Sequence, residues 1–201
     1  MCIIAVKHPE QAMFNDSKLK YLFSHNPDGA GVMWTEDNKV HFQKGFMTID
    51  DLLDFIHNRD WNNIPVLIHM RIRTHGNVDG MTCHPFPIRK KNALEGECDL
   101  AVMHNGILSA YIPDTRNMSD TQNFVNEILN VLPKNFLKNK AICHLIESDI
   151  RGNRLAFLSK DGTISLFGYW YKDEDGYEYS NPYYKPFEPI VHKQVLQDCL
   201  F

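Results

Sequence analysis

Long apolar runs are absent from this sequence of 201 residues. No stretch approaches the roughly 18 consecutive apolar residues that a membrane-spanning helix requires, and the N-terminus lacks the basic flank and cleavage site of a secretory signal. We also find no repeat, linker or low-complexity segment. A chain of this length buries about 70% of its unfolded surface in one core without needing a disulfide or a metal. The sequence therefore predicts a single cytoplasmic domain over residues 1–201.

Clustered positive charge is also scarce. The formal net charge is −4, and the one short basic run is Arg89-Lys90-Lys91. Surfaces that bind nucleic acid or anionic membranes draw most of their affinity from many clustered Lys and Arg side chains. We therefore expect neither a nucleic-acid partner nor a membrane partner.

Paired cysteines are missing as well. The five cysteines are odd in number and widely spaced, and none forms a C-x-x-C pair. Neither a disulfide framework nor a structural zinc site is predicted from such spacing. His84 follows Cys83, but no further ligand stands at a useful distance along the chain. We expect no metal and no cofactor, and we expect most of the thiols to be reduced and buried.

The chain begins Met1-Cys2 and continues with the apolar run Ile3-Ile4-Ala5-Val6. A small side chain at position 2 allows removal of the methionine, which would leave a thiol and a free α-amine on one residue. An unperturbed α-amine has a pKa of about 7.7 to 8.0, so its neutral fraction can accept the thiol proton directly or through a water. Alone, the pattern favours an ordinary cysteine of a buried first strand. The motifs that follow favour Cys2 as a nucleophile with its own base.

Two predicted strands carry polar side chains suited to chemistry. In the strand predicted over residues 66–75, alternation places His69 and Arg71 on one face and the apolar side chains on the other. The apolar strand predicted over residues 100–103 runs into His104-Asn105-Gly106, where the glycine permits a conformation that other residues resist. These two strand ends are the candidate positions for a functional site.

Local signals predict the remaining elements. Thr48 and Ser119 are good N-caps for helices, and another helix is predicted over residues 135–145. Asp161-Gly162 predicts a hairpin. Residues 169–187 are rich in Tyr and Pro, and we expect extended segments there that bury their rings against the body of the protein. These patterns alone predict a mixed α and β protein.

Five sequence features occur together in a specific order: Cys2, Asn26-Pro27-Asp28-Gly29-Ala30-Gly31, His69-Met70-Arg71-Ile72-Arg73-Thr74-His75-Gly76, His104-Asn105-Gly106 and Ser119-Asp120-Thr121. The ordered set resembles the class II glutamine amidotransferase domains over about the first two-thirds of the chain. The Asn-Pro-Asp-Gly turn resembles the small stand-alone members most. The resemblance implies the N-terminal nucleophile hydrolase fold, an α+β four-layer αββα sandwich of two antiparallel sheets flanked by helices.

The resemblance also implies a reaction with glutamine as substrate. The Cys2 thiolate would attack the side-chain amide, and the Asn105 amide and the Gly106 backbone N–H would stabilise the tetrahedral oxyanion. Ammonia would leave, and water would release glutamate from the thioester.

Matching positions imply how glutamine would be held. Arg71 matches the family's strand arginine, whose planar fork suits the α-carboxylate. Asp120, at the start of a helix, matches the acid that holds the α-ammonium. The pocket wall is matched by Thr74, His75 and Gly76.

Three functions stay open on these residues. The first is a glutamine amidotransferase or glutaminase that passes its ammonia to a separate acceptor enzyme, since no acceptor domain is evident. The second is a hydrolase of another γ-glutamyl amide, because a fold and a nucleophile do not determine a substrate. The third is a non-catalytic binding module, which retention of Met1 would favour. Residues 169–187 and 195–201 are the candidate docking surface for a partner. For the tyrosines of residues 169–187 we favour a role in covering the core, and for residues 195–201 we favour an interface. The oligomeric state is left undetermined.

Overall fold

Two antiparallel sheets stacked face to face form the centre of the structure, a computed structural model that describes residues 1–73, 78–114 and 118–186. Within the described residues the first sheet contains, in spatial order, β10 (Tyr171–Lys172), β11 (Glu178–Tyr179), β1 (Ile3–Lys7), β4 (Val66–Met70), β2 (Ala30–Glu36), β3 (Lys39–Phe46) and β6 (Glu95–Cys98). The second sheet contains β5 (Phe86–Pro87), β7 (Leu100–Asn105), β8 (Arg154–Ser159) and β9 (Ile164–Phe167).

Strand β1 lies inside the first sheet and is buried along its whole length. It pairs with β4 on one side, where Ile3 is opposite Met70, and with β11 on the other, where Ala5 is opposite Tyr179. This double pairing satisfies the backbone groups of an apolar strand on both edges. Cys2 is thereby held at the end of an interior strand, as the apolar run behind it predicts.

Helices cover both outer faces of the sandwich: α1 (Asp16–His25), α2 (Ile49–His57), α3 (Asp120–Phe124), which continues into a π-helical turn (Val125–Leu129), and α4 (Lys140–Asp149). The two predicted N-caps are confirmed. The Thr48 hydroxyl accepts a hydrogen bond from the backbone of Asp51, and Ser119 forms a reciprocal capping box with Gln122. None of the described helices is long and apolar enough to cross a membrane.

Three apolar clusters separate four layers. One lies between the first sheet and helices α1 and α2 and contains Ile68 and Leu52. A second lies between the two sheets and contains Leu67 and Met103, and a third lies between the second sheet and helices α3 and α4 and contains Phe157. Each sheet thus has two buried faces. Alternate side chains of β4 therefore enter two different apolar cores, instead of one core and the solvent. The four-layer α+β arrangement implied by the resemblance is confirmed.

Two element boundaries differ from the sequence prediction. The strand predicted over residues 66–75 ends at Met70, because the next residue pairs through its backbone with the turn at Asp28 and Gly29. The helix predicted over residues 135–145 begins instead at Lys140, where the Asn139 side chain accepts hydrogen bonds from the first free backbone N–H groups.

The tyrosine-rich segment extends the first sheet by β10 and β11, and it buries part of its rings in the core, as predicted, over the part that the structure describes. Tyr179 is fully buried and stacks on Tyr184 with ring centroids 4.3 Å apart. Lys18 lies 5.4 Å from the centroid of each ring. Tyr169 and Tyr183 remain exposed. The predicted docking segment 195–201 lies outside the described residues.

Candidate active site

Cys2 is held from both sides of its strand. Its thiol donates a hydrogen bond to the carbonyl of Ile72 at 3.3 Å and accepts one from the backbone N–H of the same residue at 3.4 Å. From the other side, the Asn181 side chain donates to the Cys2 carbonyl at 2.7 Å. The thiol therefore has a defined position although Cys2 lies outside the regular strand.

Burial raises the pKa of the Cys2 thiol, and the Ile72 hydrogen bond and the Arg71 guanidinium oppose the rise. A raised pKa keeps the group as a thiol at neutral pH, whereas the thiolate is the nucleophile. Chemistry at Cys2 consequently requires a base within reach of the sulfur.

Asn105 ends β7 in the second sheet and is buried. Its carboxamide nitrogen lies 2.8 Å from the hydroxyl of Ser180, which also accepts the backbone N–H of Ile4 at 2.8 Å. The carboxamide oxygen of Asn105 is buried and has no hydrogen-bond partner among the described residues. One hydroxyl thus connects the strand after Cys2 to Asn105.

Gly106 has a positive φ of +139°, which favours glycine. A Cβ at this position would lie 1.7 Å from the side-chain oxygen of Asn153. That oxygen accepts the backbone N–H of Ile107 at 2.6 Å and lies 3.3 Å from His104 Nε2. Asn153 therefore holds the backbone just after Asn105, and there is no space for a side chain at Gly106.

Asp120 is buried and begins helix α3. One carboxylate oxygen accepts the backbone N–H of Leu108 at 2.7 Å, and the other accepts that of Thr121 at 2.8 Å. The carboxylate thus fixes the loop after Gly106 to the start of the helix. The oxygen that accepts Leu108 retains a lone pair for a further donor, whereas the other also accepts the Thr121 hydroxyl at 3.4 Å.

Arg71 is buried at the end of β4. One of its terminal nitrogens donates to the hydroxyl of Thr82 at 2.7 Å. Its backbone N–H donates to the carbonyl of Gly29, and its carbonyl accepts the N–H of Asp28. The Asn-Pro-Asp-Gly turn therefore supports the arginine, which explains why the two motifs occur together.

Two cavities meet at Cys2 and Gly106. A narrow one of about 20 Å³ is lined by Cys2, Arg71, Ile72, His84, His104, Gly106, Ser119, Asp120 and Thr121. A wider one of about 250 Å³ is lined by Met1, Cys2, Asn105, Gly106, Ile107, Arg151, Gly152, Asn153 and Arg154. The thiol thus lies between an enclosed polar cavity and a more open one.

Three buried histidines, His69, His84 and His104, lie close together, and the last two line the narrow cavity. Burial lowers the pKa of His69 to about 3, and it also lowers the pKa values of His84 and His104. These rings are therefore neutral at pH 7. Both ring nitrogens of His84 lack a hydrogen-bond partner among the described residues. Among all the residues that the structure describes, no group of three His, Cys, Asp or Glu side chains is arranged to hold a metal.

The structure brings together the predicted site residues that it describes. Cys2, Arg71, Gly106 and Asp120 line the narrow cavity, and Asn105 lines the wider one with Cys2 and Gly106. The predicted residues Thr74, His75 and Gly76 lie outside the described residues.

Sequence reasoning missed four residues that contact the site: His84, Asn153, Ser180 and Asn181. His84 stood out in the sequence only as a weak metal ligand. No local pattern marks the other three, because their contacts join residues at least 46 positions apart in the chain.

Comparison with solved structures supports the fold. The chain is similar to glutamine phosphoribosylpyrophosphate amidotransferase from B. subtilis complexed with ADP and GMP, with a TM-score of 0.52 and 18% identity over 90% of this chain. A structure described as the allosteric regulatory enzyme of purine biosynthesis is 19% identical over 83% of this chain, with a TM-score of 0.44. The chain spans 42% and 35% of the lengths of these two proteins. No family model and no curated protein matches it.

At this level of identity the first likeness shows a shared fold. The chain shares the fold of the first of these proteins, and that fold agrees with the four-layer sandwich that the resemblance implies.

Proposed function

We propose that this protein is a class II glutamine amidotransferase or glutaminase that uses Cys2 to release ammonia from glutamine. The observation that carries the proposal is the meeting of Cys2, Arg71, Gly106 and Asp120 at one cavity, from four separate parts of the chain. Together they offer a nucleophile, a cation for a carboxylate, a backbone donor for an oxyanion and an anion for an ammonium. This set matches the α-carboxylate, the α-ammonium and the side-chain carbonyl of glutamine.

The reaction begins with removal of Met1, which frees the α-amine of Cys2. The neutral amine takes the thiol proton, and the resulting thiolate attacks the glutamine Cδ. The buried thiol needs this base because its pKa is raised and the neighbouring histidines already have hydrogen-bonding roles or lowered pKa values. The α-ammonium then gives its proton to the departing nitrogen.

The tetrahedral oxyanion is stabilised by the Asn105 amide and the Gly106 backbone N–H. Asn153 and Asp120 hold the loop that follows Gly106, so the Gly106 N–H is in place before the charge develops. Collapse of the intermediate breaks the C–N bond, releases ammonia and leaves a γ-glutamyl thioester on Cys2. Water then attacks the thioester, which releases glutamate and restores the thiol.

Arg71 and Asp120 hold the α-carboxylate and the α-ammonium of the substrate. The narrow cavity has room for about one water molecule. Glutamine binding therefore requires its lining side chains to move apart. His84, whose ring nitrogens lack described partners, borders the same space and gives the substrate a further polar contact.

The fork of Arg71 carries a testable prediction. Arg71→Lys keeps the charge but loses the two parallel donors, so kcat/KM for glutamine should fall by about 10-fold to 100-fold, the range of a charge-assisted pair. Steady-state kinetics measure this fall. Arg73→Lys, a matched change at an exposed arginine two residues later, should have little effect. Equal effects of the two changes would contradict a specific role for Arg71.

The proposed function is tested by incubating the purified chain with glutamine and measuring glutamate and ammonia. We expect equal amounts of both products, from protein whose intact mass lacks the initial methionine. Active protein that retains the full methionine mass would rule out the α-amine as the base. Binding of glutamine without any turnover would instead support the non-catalytic binding module.

Ammonia released into water at neutral pH is protonated and no longer nucleophilic. We therefore propose that an acceptor enzyme in trans receives it. The test compares glutamine turnover by the chain alone and with candidate acceptor enzymes. Weak basal turnover that one of them stimulates supports the partner, whereas high and unresponsive turnover supports a self-sufficient hydrolase.

The wider cavity favours a second candidate, a hydrolase of larger γ-glutamyl amides. Met1 lines this cavity, so the freed α-amine would face it and the departing amine would leave on this side. Its volume of about 250 Å³ exceeds the need of ammonia, and Arg151 and Arg154 line it with no acidic residue among the described residues. A negatively charged amine would fit. Faster cleavage of γ-glutamylglycine than of γ-glutamylethylamide or glutamine would favour this candidate.

A further inference from the structure

The position of Ser180 in the strand pairing is unusual. Since Ala5 is opposite Tyr179, Ile4 is opposite Ser180 in the same ladder. The backbone N–H of Ser180 donates to the Ile4 carbonyl, as the ladder requires. The N–H of Ile4, however, donates to the Ser180 hydroxyl oxygen at 2.8 Å. The side chain of Ser180 thus takes the place that its own carbonyl would occupy in a regular ladder.

The same hydroxyl contacts the carboxamide of Asn105, and both side chains are completely buried. With the carboxamide nitrogen toward Ser180, the hydroxyl oxygen accepts two hydrogen bonds and its own hydrogen has no acceptor among the described residues. The oxygen of Asn105 is then also without a described partner. Two buried groups are left unsatisfied by this one orientation, although buried polar groups are almost always paired.

A half-turn of the Asn105 carboxamide pairs both of these groups and frees the amide N–H that had pointed at Ser180, which then needs a new acceptor. The Ser180 hydroxyl still accepts the N–H of Ile4 but now donates its hydrogen to the Asn105 oxygen. The shape of the carboxamide is nearly unchanged, because its oxygen and nitrogen are almost the same size. The amide nitrogen then occupies the end that faces away from Ser180. Asn105 borders the cavity that contains Cys2 and Gly106, where an oxyanion on the substrate would be such an acceptor.

We propose that Ser180 is a positioning residue that selects this orientation and so directs the Asn105 amide donor toward the oxyanion. The N–H of Ile4 fills an acceptor site of the hydroxyl, which favours the hydroxyl as a donor toward Asn105. Ile4 lies two residues after Cys2, so the contact also holds the nucleophile strand and the oxyanion donor in a constant relation. This role rests on the proposed function, in which Asn105 stabilises the oxyanion.

The test is a double-mutant cycle between Ser180 and Asn105, measured as kcat and KM for glutamine. Ser180→Ala should lower kcat by about 10-fold to 100-fold with little change in KM, because a donor used only in the transition state loses its direction. Since Ser180 acts through Asn105, Ser180→Ala should cause no further loss in an Asn105→Ala background. Independent, multiplying losses would overturn the proposal, as would an unchanged kcat in folded Ser180→Ala protein.

Two measurements separate positioning from general damage. The rate at which iodoacetamide alkylates Cys2 should not change in Ser180→Ala protein, because alkylation forms no oxyanion; a parallel fall in alkylation and kcat would mean a displaced nucleophile. If Ser180→Ala fails to fold, Ser180→Cys keeps the shape with only a weak donor and should show the same selective loss of kcat. Normal kcat in Ser180→Cys would contradict the proposal.

A third measurement does not depend on glutamine turnover. Neutron diffraction of the deuterated protein should place the Ser180 deuteron toward the Asn105 oxygen. A deuterated amide of Asn105 pointing at Ser180 would overturn the inference even in an active enzyme. If the proper orientation is seen but no γ-glutamyl amide is cleaved, the proposed function fails while the assigned hydrogen bonds stand.

Discussion

Cys2→Ala should abolish glutamate release from glutamine. The substitution removes the sulfur that forms the thioester, and no other described thiol lies at the cavity with Arg71 and Asp120. An N-terminal alanine keeps the α-amine, so the base remains while the nucleophile is lost. We expect turnover below detection, a loss of at least about 10⁴-fold, as for removal of other catalytic nucleophiles. Product assays with a coupled glutamate measurement check this.

The other described cysteines are matched controls. Burial raises the pKa of Cys83 and raises that of Cys98 to about 12, as it raises that of Cys2, but neither residue would gain an α-amine of its own as a base. Cys143 is half-buried like Cys2 but donates to carbonyls of the preceding turn. Cys143→Ala should therefore retain glutamine turnover. Labelling of Cys83 by a glutamine-like electrophile, with Cys2→Ala protein still active, would overturn the assignment of the nucleophile.

Asn105→Ala should lower kcat by about 10² to 10³ with little change in KM, the usual loss for one oxyanion donor. We expect the effect on kcat and not on KM because of where Asn105 lies. It contacts Ser180 and lines the wider cavity with Cys2, but it does not line the narrow cavity that contains Arg71 and Asp120. Steady-state kinetics with glutamine measure both constants. An effect confined to KM would place Asn105 in substrate binding and not in oxyanion stabilisation.

Asn105→Asp makes the prediction stricter. The aspartate keeps the shape of the side chain but replaces the donor with an anion beside the developing negative charge. Its kcat should be as low as that of Asn105→Ala or lower. Asn126→Ala, at an exposed position in the turn after α3, should leave kcat unchanged and controls for the loss of an asparagine elsewhere. Near-normal turnover in Asn105→Asp would exclude donation by this side chain.

Local signals were reliable where the physical cause is local. Thr48 and Ser119 cap helices because a side-chain oxygen reaches N–H groups two or three residues ahead. The hairpin at Asp161-Gly162 depends on a turn whose glycine has a positive φ. The helix predicted over residues 135–145 was misplaced because Asn139 caps a later start. Apolar periodicity alone does not say which of several polar residues will cap.

The candidate site, unlike the helix caps and the hairpin, could be predicted only in part from the sequence. The chemistry of Cys2, the planar fork of Arg71 and the conformational freedom of Gly106 are properties of the residues themselves. The fold was predicted from the resemblance of the ordered motifs to a known family, because the local patterns alone predicted only a mixed α and β protein. Their contacts in the folded protein could not be predicted from any short segment of the sequence, because strand pairing between distant segments has no local pattern.

What the sequence by itself determined was the set of reactive groups and the local elements that carry them. Only the tertiary structure placed β1 between β4 and β11, so that Cys2 contacts Ile72 on one side and Asn181 on the other. Stacking of the second sheet then brought Asn105 to Ser180, 75 positions later in the chain. The physical reason is that capping and turn formation act over a few residues, whereas sheet order and layer packing are decided by burial across the whole chain.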